Sequence, residues 1–303
     1  MKKPQYFVAL LLFACNIAIA QINDDARALV KEGIKLNSEK KYSEAVDKYR
    51  AALKIDSGYL FAGYQAAVSL LAMGKGDEGI PYLQKIIGGT SSLNAAANDA
   101  LGLICFHNKK YAEAEKYAIE AIKLDPKQAG TMRMYGLVCF HQNKRAAALL
   151  GLCSFILLEP NTPRSAEAYN NIQHIIQGGA LKTEPGETVP KAFDANNAAL
   201  NQTITQAVAD AAKSKYVSPV DLFAAQLKNI FTRIGQLAEK QTGDDFFRKF
   251  QAAYFYQLAQ SPIVPAFARL TSGSNPDSAK WINEHPELMN DLYGWVKVTD
   301  RGF

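Results

Sequence analysis

Leu101-Gly-Leu-Ile-Cys-Phe-His-Asn-Lys-Lys-Tyr-Ala-Glu-Ala-Glu-Lys-Tyr-Ala-Ile-Glu-Ala-Ile-Lys-Leu-Asp-Pro126 decides the fold. Apolar and small residues recur every three or four positions on both sides of a polar Asn108-Lys109-Lys110 turn, the pattern of two helices joined as a hairpin. The next stretch of chain repeats it. Gly102 and Gly136, Cys105 and Cys139, Phe106 and Phe140, His107 and His141, Ala114 and Ala148, and Pro126 and Pro160 are all 34 residues apart. A fixed period of that length in helical sequence marks stacked hairpins, each burying its apolar face against its neighbours.

At these residues the chain resembles the tetratricopeptide repeat, a unit of two antiparallel helices with small residues where helix axes approach and a proline near its end. Residues 95–128 match the pattern best, with Gly102, Tyr111, Ala114, Ala121 and Pro126 in its slots. Residues 26–59 supply Gly33, Tyr42, Ala45, Tyr49 and Ala52, with Ser57 in place of proline. Residues 60–93 supply Ala67, Leu70, Leu83 and Ile86, with Gly79 where alanine is usual. Residues 129–162 supply Gly136, Ala148, Leu152 and Pro160, with Phe155 where alanine is usual, a size that should push its helix outward. A further first helix at 163–177 caps the array. The expected fold is all-α: a solenoid of four repeats plus a cap within residues 21–178, a linker at 179–189, and a C-terminal helical bundle over 190–303.

In that bundle Ser218-Pro219, Ser261-Pro262 and Asn275-Pro276 each set a capping residue before a proline suited to the first helical turn, and His285-Pro286 does so with a poorer cap. Phe247, Phe250, Tyr254 and Leu258 form an apolar stripe on a helix begun near Gly243. Trp281 and Trp295, in the last two helices, read as core residues or as ligand-stacking rings.

Composition sets outer limits. The chain has 303 residues, 48% hydrophobic, 21% charged and 10% aromatic, which excludes disordered and collagen-like classes. Lys and Arg total 34 against 29 Asp and Glu, a net charge of +5, spread over both halves without the basic field a nucleic-acid binder requires. Lys2 and Lys3, the apolar run Phe7–Cys15 and the small-x-small site Ala18-Ile19-Ala20 read as a bacterial secretory leader cleaved after Ala20. That apolar run is too short to span a bilayer. The expected location is therefore periplasmic or secreted. A lipoprotein anchored through Cys15 is the minor alternative, disfavoured by bulky Phe13 and by the apolar residues 17–20. Cys105, Cys139 and Cys153 then remain, an odd number, and small buried helical residues are the simplest reading for all three.

Sites of chemistry are sparse. Gly74-Lys75-Gly76-Asp77-Glu78-Gly79 satisfies G-x-G-x-x-G, but it lies between two helices instead of between a strand and a helix, so no nucleotide is expected. His107 and His141 sit at equivalent places in successive repeats and His174 one position earlier in the cap, about 9–10 Å apart by helix packing, too far to share a metal. No cofactor, metal or catalytic residue is expected, and the chain is read as a non-enzyme.

What the resemblance implies is a concave groove for a protein or peptide segment, lined by first helices. Its slots hold Phe61, Tyr64, Val68 and Leu71, then Asp99, Leu103, Phe106 and His107, then Arg133, Leu137, Phe140 and His141, and Glu167, Asn171 and His174 in the cap. Ile34, Val68, Leu103 and Leu137 stand where the chaperone-tail-binding members carry polar clamp residues, so that specificity is not carried over. The expected function is an exported scaffold binding another envelope protein. Two alternatives stay open: the C-terminal tail fills the groove, or the C-terminal bundle is an enzyme or enzyme accessory binding a small molecule or glycan.

Overall fold

The computed structural model describes residues 24–178, 195–240, 242, 246–299 and 301. The leader at 1–20, the linker at 179–189 and the helix start near Gly243 lie outside the described residues. Among the described residues every regular element is helical, and the chain divides into two compact units between Asn108 and Lys109. That division falls inside the third repeat, not at 179–189.

The first unit holds α1 (24–38), α2 (Tyr42–Ile55), α3 (Leu60–Ala72), α4 (Gly76–Ile87) and α5 (Asn94–His107). Its core is built from small residues around one ring: Ala26, Val30, Ala45, Ala52, Ala62 and Ala66 with Tyr49. Gly33 lets α1 lie on α2, since a Cβ there would stand 2.5 Å from the Tyr49 ring. The three glycines of the G-x-G-x-x-G stretch have hairpin roles. Gly74 turns the chain at φ +72°, a Cβ on Gly76 would strike Ile104, and one on Gly79 would strike the Ala67 backbone.

The second unit holds α6 (Tyr111–Leu124), α7 (Ala129–His141), α8 (Arg145–Leu158) and α9 (Pro163–Ile176). It continues through α10 (Ala195–Ala211), α11 (Pro219–Glu239), a π-helical segment Phe246–Ala252, α12 (Ala253–Gln260), α13 (Val264–Thr271), α14 (Pro276–Glu284) and α15 (Pro286–Val298). α7 and α8 approach through Gly136 and Gly151: a Cβ on Gly151 would come within 3.0 Å of the Gly136 Cα. Ala114, Ala121 and Ala148 are buried, while Pro126 and Pro160 are half-buried.

First helices end alike throughout. Lys40, Gly74, Lys109, Asn143 and Gly178 all have positive φ, at intervals of 34 or 35 residues. After three of them the next amide reaches back to a carbonyl five residues earlier, Lys41 to Leu36, Lys75 to Leu70 and Lys144 to Cys139, the six-to-one bond that closes a Schellman turn. The repeat is thus written in turn geometry even where the residue type differs.

α8 explains why the second half of the array and the C-terminal helices are one unit. Every residue from Arg145 to Leu157 is buried, because α10, α13 and the π-helical segment cover the faces that α7 and α9 leave open. A helix apolar all round is stable only when wrapped. Phe155 is fully buried within it. α10 touches both α8 and α9, the two neighbours that the second helix of a fifth hairpin would have. Arg145 pins this junction: its backbone N–H donates to Asn201 Oδ1 at 3.0 Å, its guanidinium donates to the Ile175 carbonyl, and Asn201 Nδ2 donates to the Asn143 carbonyl at 2.7 Å.

Caps locate the later helices. Thr162 and Ser165 form a capping box on α9, Ser218 accepts from the Asp221 N–H, and Asn275 accepts from the Asp277 N–H. Pro286 opens α15 without a side-chain cap. Ser261-Pro262 is the correction: Ser261 donates to the Leu258 carbonyl and closes α12, and α13 begins at Val264 with Pro265 in its first turn. Phe247, Phe250, Tyr254 and Leu258 are buried as the stripe requires. Phe246 and Gln251, in the π turn, are buried with them.

Candidate functional site

In the first unit the first-helix slots fall on α3 and α5. Phe61, Tyr64, Val68 and Leu71 are half-buried on α3, as are Asp99, Leu103 and Phe106 on α5, and His107 is exposed at its end. Half-burial of an apolar row leaves ring edges accessible while their bases pack; Phe61 rests on the small-residue core. Burial and the nearby Asp99 carboxylate both push the Tyr64 hydroxyl above its ordinary pKa, so it stays a neutral hydrogen-bond donor. This face is apolar and aromatic with one acidic group in it.

In the second unit the slots are more self-engaged. Phe140 corrects the expectation: it is 4% exposed and meets His174 edge-to-face with centroids 6.0 Å apart, so its ring is spent inside the unit. α9 lies against this end of α7, which turns a would-be ligand contact into an internal one. His141 stacks on Tyr111 at 4.5 Å. Arg133 donates to Glu167 at 2.6 Å, one repeat further on, and its charge is already balanced. In the first unit Phe106 also meets the His107 ring, with centroids 6.4 Å apart.

Sequence reasoning missed Glu115. It accepts from Lys144 Nζ at 2.5 Å and Gln142 Nε2 at 2.8 Å, with both ion-pair partners largely shielded. It fixes α6 to the turn between α7 and α8. Nothing in Tyr-Ala-Glu-Ala-Glu-Lys distinguishes Glu115 from Glu113 except helical phase.

The tryptophans are both engaged. Trp281 stacks on His285 at 4.2 Å and lies under the Arg269 guanidinium at 4.7 Å, and Trp295 packs on Tyr254 at 4.9 Å. Both rings are half-buried. A cavity of about 390 Å³ does open in this unit between the start of α9 and the α13–α14 turn, lined by Asn161, Thr162, Ser165, Thr271, Ser274 and Asn283 over Pro163, Ala166, Leu270, Ala279 and Ile282. It holds no ionisable lining group suited to acid–base or nucleophilic work. Among the described residues no three His, Cys, Asp or Glu side chains cluster as metal ligands, and no helix is long and apolar enough to cross a membrane. Cys105, Cys139 and Cys153 are buried thiols.

No curated protein sequence matches the chain. A solved structure of Pseudomonas aeruginosa pilF is similar over 81% of this chain and 97% of its own, at 17% identity and a TM-score of 0.45. Residues 64–129 match the tetratricopeptide repeat family model, from the middle of α3 to the start of α7. Every regular element among the described residues is helical, and residues 64–129 are similar to the tetratricopeptide repeat, a module that generally binds proteins or peptides.

Proposed function

We propose that this protein is an exported, non-catalytic scaffold of the bacterial envelope that holds a partner protein on its first-helix face. The observation that carries the reading is the row of half-buried Phe61, Tyr64, Leu71 and Phe106 on α3 and α5, apolar side chains kept at the surface beside Asp99 and His107. A contiguous apolar strip of this kind costs solvation free energy unless something covers it, and an extended or amphipathic segment fits a face of parallel helices. The leader-like residues 1–20 support the envelope location.

Site-specific photocrosslinking in cells tests it. A crosslinker at position 64 or 106 is expected to capture one recurring protein, and one at exposed Lys54 on α2 none. Equal capture from all three, or none from 64 and 106 with the protein folded, would remove the groove reading. Mass determination of the mature N-terminus tests export separately, with Gln21 expected as the first residue.

A further inference from the structure

The end of the chain contains a buried cation with an unusual setting. Arg301 lies two residues beyond Thr299, the cap that closes α15. Its guanidinium carbon stands 4.0 Å from the Tyr254 ring centroid and 5.4 Å from that of Phe250, both within cation–π range. Its Nη1 donates at 3.0 Å to Ser154 Oγ, which donates in turn to Gln251 Oε1 at 3.1 Å. Among the described residues no carboxylate pairs with it. Enclosure pushes its pKa below the ordinary arginine value, and a guanidinium keeps its charge in proteins.

The surrounding groups do not depend on the tail for their placement. Ser154 is on the fully wrapped α8, Phe250 and Gln251 are on the π-helical segment, and Tyr254 is on α12 with Trp295 behind its ring. Ser154 and Gln251 are 0% exposed, and the Arg301 guanidinium draws the Tyr254 hydroxyl back down against the rise in pKa that burial causes. A buried guanidinium needs acceptors and ring faces around it, and the Ser154 hydroxyl oxygen with the Phe250 and Tyr254 rings supplies them. Gln251, in the π turn, accepts from the Ser154 hydroxyl beside the Phe250 ring. A planar, weakly hydrated fork suits that arrangement, whereas a compact ammonium is more strongly hydrated and cannot spread over two rings.

We propose that Ser154, Phe250, Gln251 and Tyr254 form a guanidinium-binding cage, with Arg301 as its tethered ligand, so that the chain end clasps the second unit by occupying a side-chain receptor. The cage reads an arginine side chain. It is separate from the first-helix face and does not rest on the scaffold reading.

Chemical rescue on the full chain tests the assignment. Arg301→Ala is expected to melt several degrees below wild type, with Trp295 emission altered through Tyr254. Millimolar ethylguanidinium should restore most of the loss, ethylammonium at the same concentration should not, and wild type should respond to neither. No loss of stability, or equal rescue by both cations, overturns the proposal. Should Arg301→Ala fail to fold, wild-type protein decides: nitrogen-15 spectra should show an Arg301 Nε–H that exchanges slowly and is shifted upfield by the rings. A fast-exchanging, unshifted signal overturns it.

Discussion

A methyl group on Gly79 would stand 3.0 Å from both the Cα and the Cβ of Ala67. α3 and α4 therefore touch backbone to side chain at this point, closer than the alanine expected at that slot of the repeat allows. Gly79→Ala raises helix propensity but forces the hairpin apart, and overpacking at a backbone contact outweighs the propensity gain. The variant is expected to lose about 1–3 kcal/mol in a urea titration. A gain in stability would mean that α3 and α4 separate freely.

Arg145→Ala removes the guanidinium donors to the Ile175 carbonyl and to α10. Charged hydrogen bonds of this kind contribute about 1.5–3 kcal/mol, and the orphaned carbonyl adds to the cost. Amide exchange should accelerate in residues 198–205 before it does in α3. Uniform acceleration across the chain would show that Arg145 does not specifically hold α10.

Asp221 links α11 to α13 through Arg269 at 3.0 Å. Burial alone would raise its pKa, but the Ser218 hydroxyl and the Arg269 guanidinium together outweigh that and hold it below the ordinary carboxylate value. A depressed folded-state pKa gives stability that is fully present above the unfolded value near 3.9 and is lost as pH falls through the folded value. Asp221→Asn should thus be less stable than wild type at pH 7, by about 0.5–1 kcal/mol for a partly exposed pair, with the two curves converging at the acid end. Parallel curves down to pH 2 would contradict this.

The thiol of Cys153 is wholly enclosed on α8, and burial pushes its pKa far above that of a free cysteine. Cys105 and Cys139 are also buried. Native protein at pH 8 is expected to resist maleimide labelling at all three, with complete labelling in guanidinium chloride. Rapid native labelling of Cys153 would require α8 to open locally.

Much of this architecture is legible in the sequence for a physical reason: the 34-residue recurrence of small and large residues reports helix approach distances, and Gly33, Gly136 and Ala148 sit where axes come close. The surroundings of α8 were readable too. Ala-Ala-Ala-Leu-Leu-Gly-Leu-Cys-Ser-Phe-Ile-Leu-Leu, residues 146–158, has no charged position after Arg145 and so no solvent face, which implies cover from elsewhere in the chain. Less legible was Phe140, whose slot is an exposed one by periodicity and becomes interior only because α9 supplies His174. Ser261 shows a similar limit, since a serine before a proline can cap the helix behind it as well as the one ahead. The π turn at Phe246–Ala252 left no mark in the apolar spacing, because Phe247, Phe250, Tyr254 and Leu258 satisfy both windings.

The enclosure of α8 also sets an order of assembly. A ribosome or export channel delivers the chain from its N-terminus, and when residues 145–158 emerge, the helices that cover them are still roughly 40 to 110 residues away in sequence. Until α10 and α13 arrive, α8 has only α7 and α9 to lie against and presents Leu, Phe and Ile side chains to water. The first unit can close early, whereas the second must wait for its C-terminal helices. A nascent chain halted near residue 178 is the species that a holding chaperone would be needed for.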